Sequence, residues 1–291
     1  TVFLKGCPLH CLWCHNPESM RMQPQLSFLA NKCIGCGACL RICPHSAHRM
    51  DEEGRHIIDR EACTLCGQCA GECYAEALEL VGKEMTVEEV MDQVGRDASY
   101  YETSGGGMTL SGGEPTLQVD FSEALLKASR EEGFNNCVET CGQCEWSRLE
   151  RLLPLTEWFL YDWKESDPDR HREYTGVDNV LIRENLEKLN QAGADIVLRC
   201  VMIPGLNDRD DHFDTIAELQ TSLERVRGVE LMPYHNLGES KLTRFDLDAA
   251  GRADSKSPEK ETVEGWIQAL RDRGATVLNG RSEAFYSKSS S

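Results

Sequence analysis

The sequence predicts an α/β protein: a partial (β/α)6 barrel interrupted near its start by a small cysteine-rich module. Three observations lead there. From Thr86 onward, strand and helix patterns alternate, as in a parallel sheet covered by helices. Of fifteen cysteines, eleven fall into three tight groups. One cysteine spacing occurs twice, about 30 residues apart, which marks an internal repeat. A length of 291 residues suits roughly two domains at about 150 residues each. The expected division gives residues 1–28 the first strand and a cysteine loop, 29–83 the inserted module, and 84–291 the remainder of the barrel.

The elements follow in order. VFL is a short apolar strand running into GCPLHC. Residues 29–83 are rich in Cys and Gly, and the stretch HSAHRMDEEGRHIIDREA between the two cysteine repeats is polar, a hairpin or linker in which His45, His48 and His56 are expected to be solvated. TVEEVMDQVGRDASYY reads as a helix, with Thr86 as N-cap and Glu89 completing a capping box. MTLSGGEP is a strand ending in a glycine turn, and DFSEALLKASREEG an amphipathic helix with a glycine stop. CVET, WFLYDWK, ADIVLRCVMIPG and VELMPYH read as strands. WSRLERLL, NVLIRENLEKLNQAG and DDHFDTIAELQTSLERV are the helices between them. SPEKETVEGWIQALRDRG is a last helix and ATVLNG a last strand. In such a barrel, functional residues sit at the C-terminal ends of the strands.

Composition narrows the class. The net charge is −18, which argues against binding a nucleic-acid backbone or an anionic membrane by electrostatics. Hydrophobic residues are 40% and charged residues 27%, as in a globular chain. No apolar run approaches the roughly 18 residues of a membrane span. An odd number of closely spaced cysteines in a long chain points to metal centres in a reducing, cytoplasmic compartment. Residue 1 is not Met and the chain opens on a strand, so preceding sequence is expected to be missing.

The first cysteine motif, GCPLHCLWCHNPES, spaces Cys7, Cys11 and Cys14 as C-x3-C-x2-C. Three thiolates can hold three irons of a [4Fe–4S] cube and leave the fourth iron open to a ligand. A zinc knuckle completed by His10 or His15 is the alternative. The doubled motif is C-x2-C-x2-C-x3-C, at Cys33, Cys36, Cys39 and Cys43 and again at Cys63, Cys66, Cys69 and Cys73. That is the spacing of bacterial two-cluster ferredoxins, where the fourth cysteine ligates the other cluster. The pairing expected is Cys33, Cys36, Cys39 with Cys73, and Cys63, Cys66, Cys69 with Cys43. Cys137, Cys141, Cys144 and Cys200 are expected to be inert buried thiols. Trp158 and Trp163 flank a core strand and should pack. DRDDHFD reads as a helix start favouring acidic charge.

The trio with Trp13 before its third cysteine resembles the signature of the radical S-adenosylmethionine (SAM) enzymes, and SGGEP at Ser111–Pro115 resembles their methionine-binding turn. Glycines permit close backbone approach, and Glu114 offers charge to an ammonium group. With the module inserted after the trio, the chain resembles the activating enzymes of glycyl radical enzymes over nearly its whole length. Further matching strings are FLKGCP, WCHNPE, YYETSGGGMTLSGGEP, YDWKESD, LRCVMIPGLND and LMPYHNLG, and Thr1 would end a DGPGIRT-like stretch.

The resemblance implies roles. Cys7, Cys11 and Cys14 would ligate the catalytic cluster, and Gly112, Gly113 and Glu114 would contact the methionine end of SAM. Trp13 would lie at the cofactor, Lys164 and Arg199 would be cationic contacts to it, and His235 would lie near its ribose and adenine. Asp162, Glu139, Thr140 and the Leu160 carbonyl would form a monovalent-cation site, although the family has an aspartate where this chain has Glu139. The bland reading of Lys164 and Arg199 is a surface ion pair. The implied activity is reductive cleavage of SAM to a 5′-deoxyadenosyl radical that takes hydrogen from a backbone glycine of a partner enzyme, with flavodoxin or ferredoxin as electron donor. Two readings compete: a radical SAM enzyme acting on a small molecule or another protein residue, and a non-catalytic iron–sulfur electron carrier.

Overall fold

The computed structural model describes residues 1–247 and 256–279. Six strands form one parallel sheet. They are β1 (Val2–Leu4), β6 (Gly107–Gly112), β7 (Asn135–Thr140), β8 (Trp158–Asp162), β9 (Ile196–Met202) and β10 (Val226–Pro233), in that spatial order. Every neighbouring pair is parallel. Among the described residues no pairing joins β10 back to β1, so strand pairing among them does not close the barrel. The expected last strand is reduced to one bridge, Val229 to Val277, and its final residue, Gly280, lies outside the described residues.

Alternation along the strands explains the layers. Met108, Leu110, Val138, Phe159, Tyr161, Leu198, Cys200, Val229 and Leu231 are buried on the helix side. They meet α5 (Val119–Glu131) through Leu125 and Leu126, and α8 (Val180–Gln191) through Ile182, Leu186 and Leu189. They also meet α9 (Asp210–Ser222) through Phe213 and Ile216, and α11 (Lys260–Asp272) through Trp266 and Leu270. Each such side chain contributes about 1.5–3 kcal/mol on full burial. α6 (Trp146–Leu152) adds Leu149 and Leu152. Ser111, Glu139, Leu160, Asp162, Arg199 and Glu230 lie on the other face, toward the interior; Glu139 is the register partner of Leu160, and Arg199 that of both Asp162 and Glu230.

Between β1 and β6 the chain makes an excursion. β2 (Gln25–Phe28) pairs antiparallel with β5 (Leu78–Val81) at its base, four residues before the boundary expected from composition. Inside lie α1 (Ala38–Ile42), β3 (His48–Met50), β4 (His56–Ile58) and α2 (Gln68–Gly71), with β3 and β4 paired as a hairpin. His48 is buried at 6% exposure and His56 half-buried. Two of the three histidines expected to be solvated therefore face inward, because they occupy the core side of that hairpin; His45 is exposed, as expected.

The helix expected from Thr86 breaks at Gly95 into α3 (Val87–Val94) and α4 (Ala98–Ser104). Its cap forms as expected: Glu89 N donates to Thr86 Oγ1 at 3.2 Å, and Thr86 N donates to Glu89 Oε2 at 2.7 Å. Two helices, α7 (Pro168–Thr175) and α10 (Glu239–Phe245), had no apolar periodicity to announce them. Asp167 starts α7 by accepting from Asp169 N and Arg170 N. No described helix is long and apolar enough to cross a membrane. Because Thr86 is an exposed cap remote from the sheet interior, Thr86→Ala should cost about 1 kcal/mol. A urea midpoint lowered by about 0.3–1 M, with cofactor binding unchanged, is the expected result.

Candidate active site

Residues 6–15 form a loop at the C-terminal end of β1, and backbone bonds fix its path. Gly6 N donates to Ser19 O at 2.6 Å and Cys7 N to Met20 O at 3.1 Å. The loop then lies across the end of α7, where His10 N donates to Thr175 O at 2.8 Å and Leu12 N to Tyr174 O at 3.0 Å. A helix leaves its last carbonyls without intrahelical partners, and the cysteine loop supplies them. Trp13 is buried at 4% exposure and meets Tyr174 edge-on, with centroids 5.9 Å apart. Gly238 closes over the loop from the other side: a β-carbon there would lie 2.7 Å from Cys14 O.

The glycine turn after β6 is stitched to the same loop. Gly113 N donates to Leu4 O and Glu114 N to Gly6 O, both at 2.7 Å. Gly112 has φ +99°, and a β-carbon on Gly113 would lie 2.1 Å from Gly6 O. Only glycine fits either position. Glu114 is fully buried. Its carboxylate accepts from Thr116 N (3.1 Å), Thr116 Oγ1 (2.8 Å), Thr140 Oγ1 (2.8 Å) and Cys141 N (2.8 Å). Four donors match the lone-pair capacity of a carboxylate. The charge expected to meet an ammonium group is thus held inside the fold, and the partly exposed backbone of Gly112 and Gly113 is what the turn presents outward.

Charges line the interior next to the turn. Arg199 pairs with Glu139 and, through Nε at 3.0 Å, with Glu230. Ser111 Oγ donates to Glu139 Oε2 at 2.6 Å. Burial lowers the Arg199 guanidinium, but Glu139, Asp162 and Glu230 together hold it above its ordinary value. The monovalent-cation set is not assembled. Both Glu139 oxygens are engaged, Thr140 faces the opposite side of the strand toward Glu114, and Arg199 already supplies the positive charge.

Lys164 joins that network through Asp162. It is half-buried, and Nζ lies 2.9 Å from Asp162 Oδ2. Burial pushes its ammonium down, while Asp162 and the Cys11 and Cys141 sulfurs raise it further than burial lowers it. Lys164 in turn favours the thiolate at Cys7 and at Cys11. Burial drives the Cys11 thiol up to about 12 against that pull. Cys141, expected to be inert, hydrogen-bonds Cys7 and lowers its thiol; it is packed with Leu9, Cys11 and Trp13. Cys144 and Cys200 are buried, as read from the sequence, and Cys137 is half-buried on the interior face. His235 is exposed, and its backbone carbonyl bonds His15 Nε2 at 2.6 Å.

Asn207 was missed. Fully buried, it accepts from Ile203 N at 2.8 Å and donates to Val201 O at 2.8 Å and Lys164 O at 3.1 Å. It thereby ties the end of β8 to the end of β9; its only sequence signal is the PGLND turn that carries it. The Glu165–Arg209 pair, at 2.8 Å with Glu165 fully buried, braces the start of α7 in the same region.

The donor sets fit iron–sulfur cubes better than single ions. Zn–S bonds of about 2.3 Å put tetrahedral sulfurs about 3.8 Å apart. Among the described residues the one set of three ligating groups within 4.8 Å of one another is Cys39, His48 and His56, so the trio does not close to zinc spacing. Three thiols beside a half-buried ammonium suit an anionic cluster. Two hollows in the excursion each gather four cysteines. One is lined by Cys33, Cys36, Cys39 and Cys73. The other is lined by Cys43, Cys63, Cys66 and Cys69. Asn207→Ala removes partners from one buried and two half-buried backbone groups and should cost about 1–3 kcal/mol. A lower melting temperature with weaker cofactor binding would be measured, whereas an unchanged melt would show the tie to be dispensable.

Comparison with known proteins agrees with this geometry. The radical SAM superfamily pattern matches residues 1–217. The chain is 41% identical over 254 residues to the isethionate sulfite-lyase activating enzyme of Oleidesulfovibrio alaskensis, covering 85% of this chain and 82% of that one. It is 39% identical to the (2S)-3-sulfopropanediol dehydratase activating enzyme of Klebsiella oxytoca, covering 84% and 80%. Among solved structures, a domain of the pyruvate-formate lyase-activating enzyme from Bacteroides vulgatus is 26% identical with a TM-score of 0.50, covering 59% of this chain and 97% of that one. The chain belongs to the radical SAM superfamily and, within it, to the activating enzymes of glycyl radical enzymes.

Proposed function

We propose that this chain generates the radical of a partner glycyl radical enzyme, using SAM and a [4Fe–4S] cluster held by Cys7, Cys11 and Cys14. The observation that carries the reading is convergence: the trio loop, the Gly112–Gly113 turn and the Lys164 ammonium meet at the C-terminal ends of β1, β6 and β8. When bound, the cluster supplies one electron that breaks the SAM carbon–sulfur bond, giving methionine and a 5′-deoxyadenosyl radical that takes a hydrogen atom from a glycine Cα of the partner. The chain's own work is placement. Lys164 offers its charge to the cluster sulfurs and to the cofactor carboxylate, and Trp13 and Tyr174 keep water from the trio. The backbone at Gly112 and Gly113 receives the methionine end. The side between β10 and β1, where strand pairing among the described residues does not close the barrel, suits a glycine loop drawn from a partner.

We further infer that residues 29–83 are a ferredoxin-type module whose two cysteine hollows hold two more [4Fe–4S] clusters, with the fourth cysteine crossing between halves. A flavodoxin or ferredoxin would deliver electrons in a reducing cytoplasm, without recourse to nucleic acid or membrane. The partner is a glycyl radical enzyme; relatives of similar identity serve several different ones by name.

Anaerobic reconstitution tests both readings. Three cubes predict about twelve irons per chain and one reduced EPR signal reshaped by SAM. Cys11→Ala should remove about four irons and abolish SAM cleavage while leaving the other signals. About eight irons with no response to SAM would leave only an electron carrier. Lys164→Met, which keeps the stem but not the charge, should retain iron and weaken SAM binding at least tenfold; unchanged affinity would take Lys164 out of the site.

A further inference from the structure

The two halves of the excursion repeat with an offset of 30 residues. Cys33 to Cys43 recurs as Cys63 to Cys73, and β2 and β3 recur as β4 and β5. At one pair of core positions the repeat changes from leucine to histidine. Where β2 and β5 present Leu26 and Leu78, β4 and β3 present His56 and His48. Leu26 and Leu78 are buried together in an apolar cluster that also holds Cys69. The histidines make a polar contact in the equivalent place, with ring centroids 5.0 Å apart.

That contact spans the two hollows. His56 lines the hollow of Cys33, Cys36, Cys39 and Cys73, and His48 lines the hollow of Cys43, Cys63, Cys66 and Cys69. His48 Nδ1 and His56 Nε2 are 2.8 Å apart, and the same His56 nitrogen lies 3.6 Å from Cys39 Sγ. Cys69, the repeat mate of Cys39, has Leu26 in its cluster where Cys39 has His56.

The position of the shared proton follows from what is left over. If His48 Nδ1 donated, His56 Nε2 would turn a lone pair toward a thiolate sulfur. The other nitrogen, His56 Nδ1, would then be a donor, and it is buried without a partner. If His56 Nε2 donates, it serves both His48 Nδ1 and Cys39 Sγ, and the orphan is an acceptor, which buried sites tolerate more readily. A single zinc ion on these three groups does not suit the contact. Two nitrogens bound at about 2.0–2.1 Å would stand about 3.3 Å apart, farther than the observed separation.

We propose that His56 is a tuning residue: its Nε2–H donates to the Cys39 sulfur and makes the Cys33, Cys36, Cys39, Cys73 site the higher-potential of the two cluster sites in the module. A hydrogen bond to a cluster sulfur favours the more negative, reduced state. The half that carries Leu26 beside Cys69 lacks that donor. The histidine pair therefore gives the two otherwise repeated sites an order, with the added electron resting on the His56 side. This inference rests on the reading that both hollows hold [4Fe–4S] clusters.

The test uses the full chain in a Cys7→Ala, Cys11→Ala, Cys14→Ala background, so that only the module contributes iron. Iron is counted first, and an EPR-monitored redox titration follows. About eight irons are expected, with two waves. His56→Leu, which restores the repeat, should lower the upper wave by a tenfold change in reduced fraction at fixed potential, about 59 mV for one electron. His56→Gln, which keeps an N–H donor, should recover most of that shift. His48→Leu removes the competing acceptor and should move the same wave upward. Two module waves that overlay in parent and His56→Leu, or that move the same way in both leucine variants, would overturn the proposal. A parent that binds no iron in the module would overturn the cluster reading beneath it, and the iron count separates that failure from the other. Zinc bound in place of iron would do the same.

Discussion

The fully buried carboxylate of Glu114 is the constraint on which the mouth of the sheet depends. Its oxygens hold the turn after β6 through Thr116 and the end of β7 through Thr140 and Cys141. The backbone around it binds β1 and the trio loop through Leu4 and Gly6. Such a charge is stable in the interior only while every donor stays in place. The three segments therefore cannot drift independently, and the glycines beside Glu114 are free to offer backbone because the side chain is not needed outside. A charge that would otherwise serve a ligand is used to make the surface that receives it.

The two interior cations divide the remaining electrostatic work. Arg199 bridges β7, β9 and β10 by pairing with Glu139 and Glu230, so it acts as a cross-strand tie on the interior face of the sheet. Lys164 pairs with Asp162 and faces the sulfurs of Cys7 and Cys11. In a chain of net charge −18, an anionic group near the trio needs local positive charge more than overall steering, because fields from distant surface residues are screened within about 8–10 Å.

Much of this was legible before any coordinates. The strand–helix alternation, the six-strand sheet and the capping box at Thr86 follow from periodicity and local chemistry. The expected grouping of Cys73 with Cys33, Cys36 and Cys39, and of Cys43 with Cys63, Cys66 and Cys69, is also how these residues line the two hollows. What periodicity cannot carry is contact between segments distant in sequence. Glu114 read as a ligand because nothing local reveals that Thr140 and Cys141 converge on it. α7 escaped notice because PDRHREYT is polar and buries only His171, Tyr174 and Thr175. His48 and His56 read as solvated because their stretch is polar, although the hairpin they form turns both inward. Asn207 and Cys141 are ordinary residue types whose roles exist only after folding.

The base of the excursion has a further consequence. Gln25 and Val81 are register partners in the β2–β5 ladder, so the chain departs from the sheet and returns to it at neighbouring points. Arg60 adds one tether, donating to Leu26 O and, at 2.9 Å, to Arg244 O at the end of α10. Segments whose two ends lie side by side can be gained or lost with little disturbance to the host. The parallel sheet therefore does not depend on the excursion for its pairing, and the excursion could vary in length while the trio loop and its turn stay fixed.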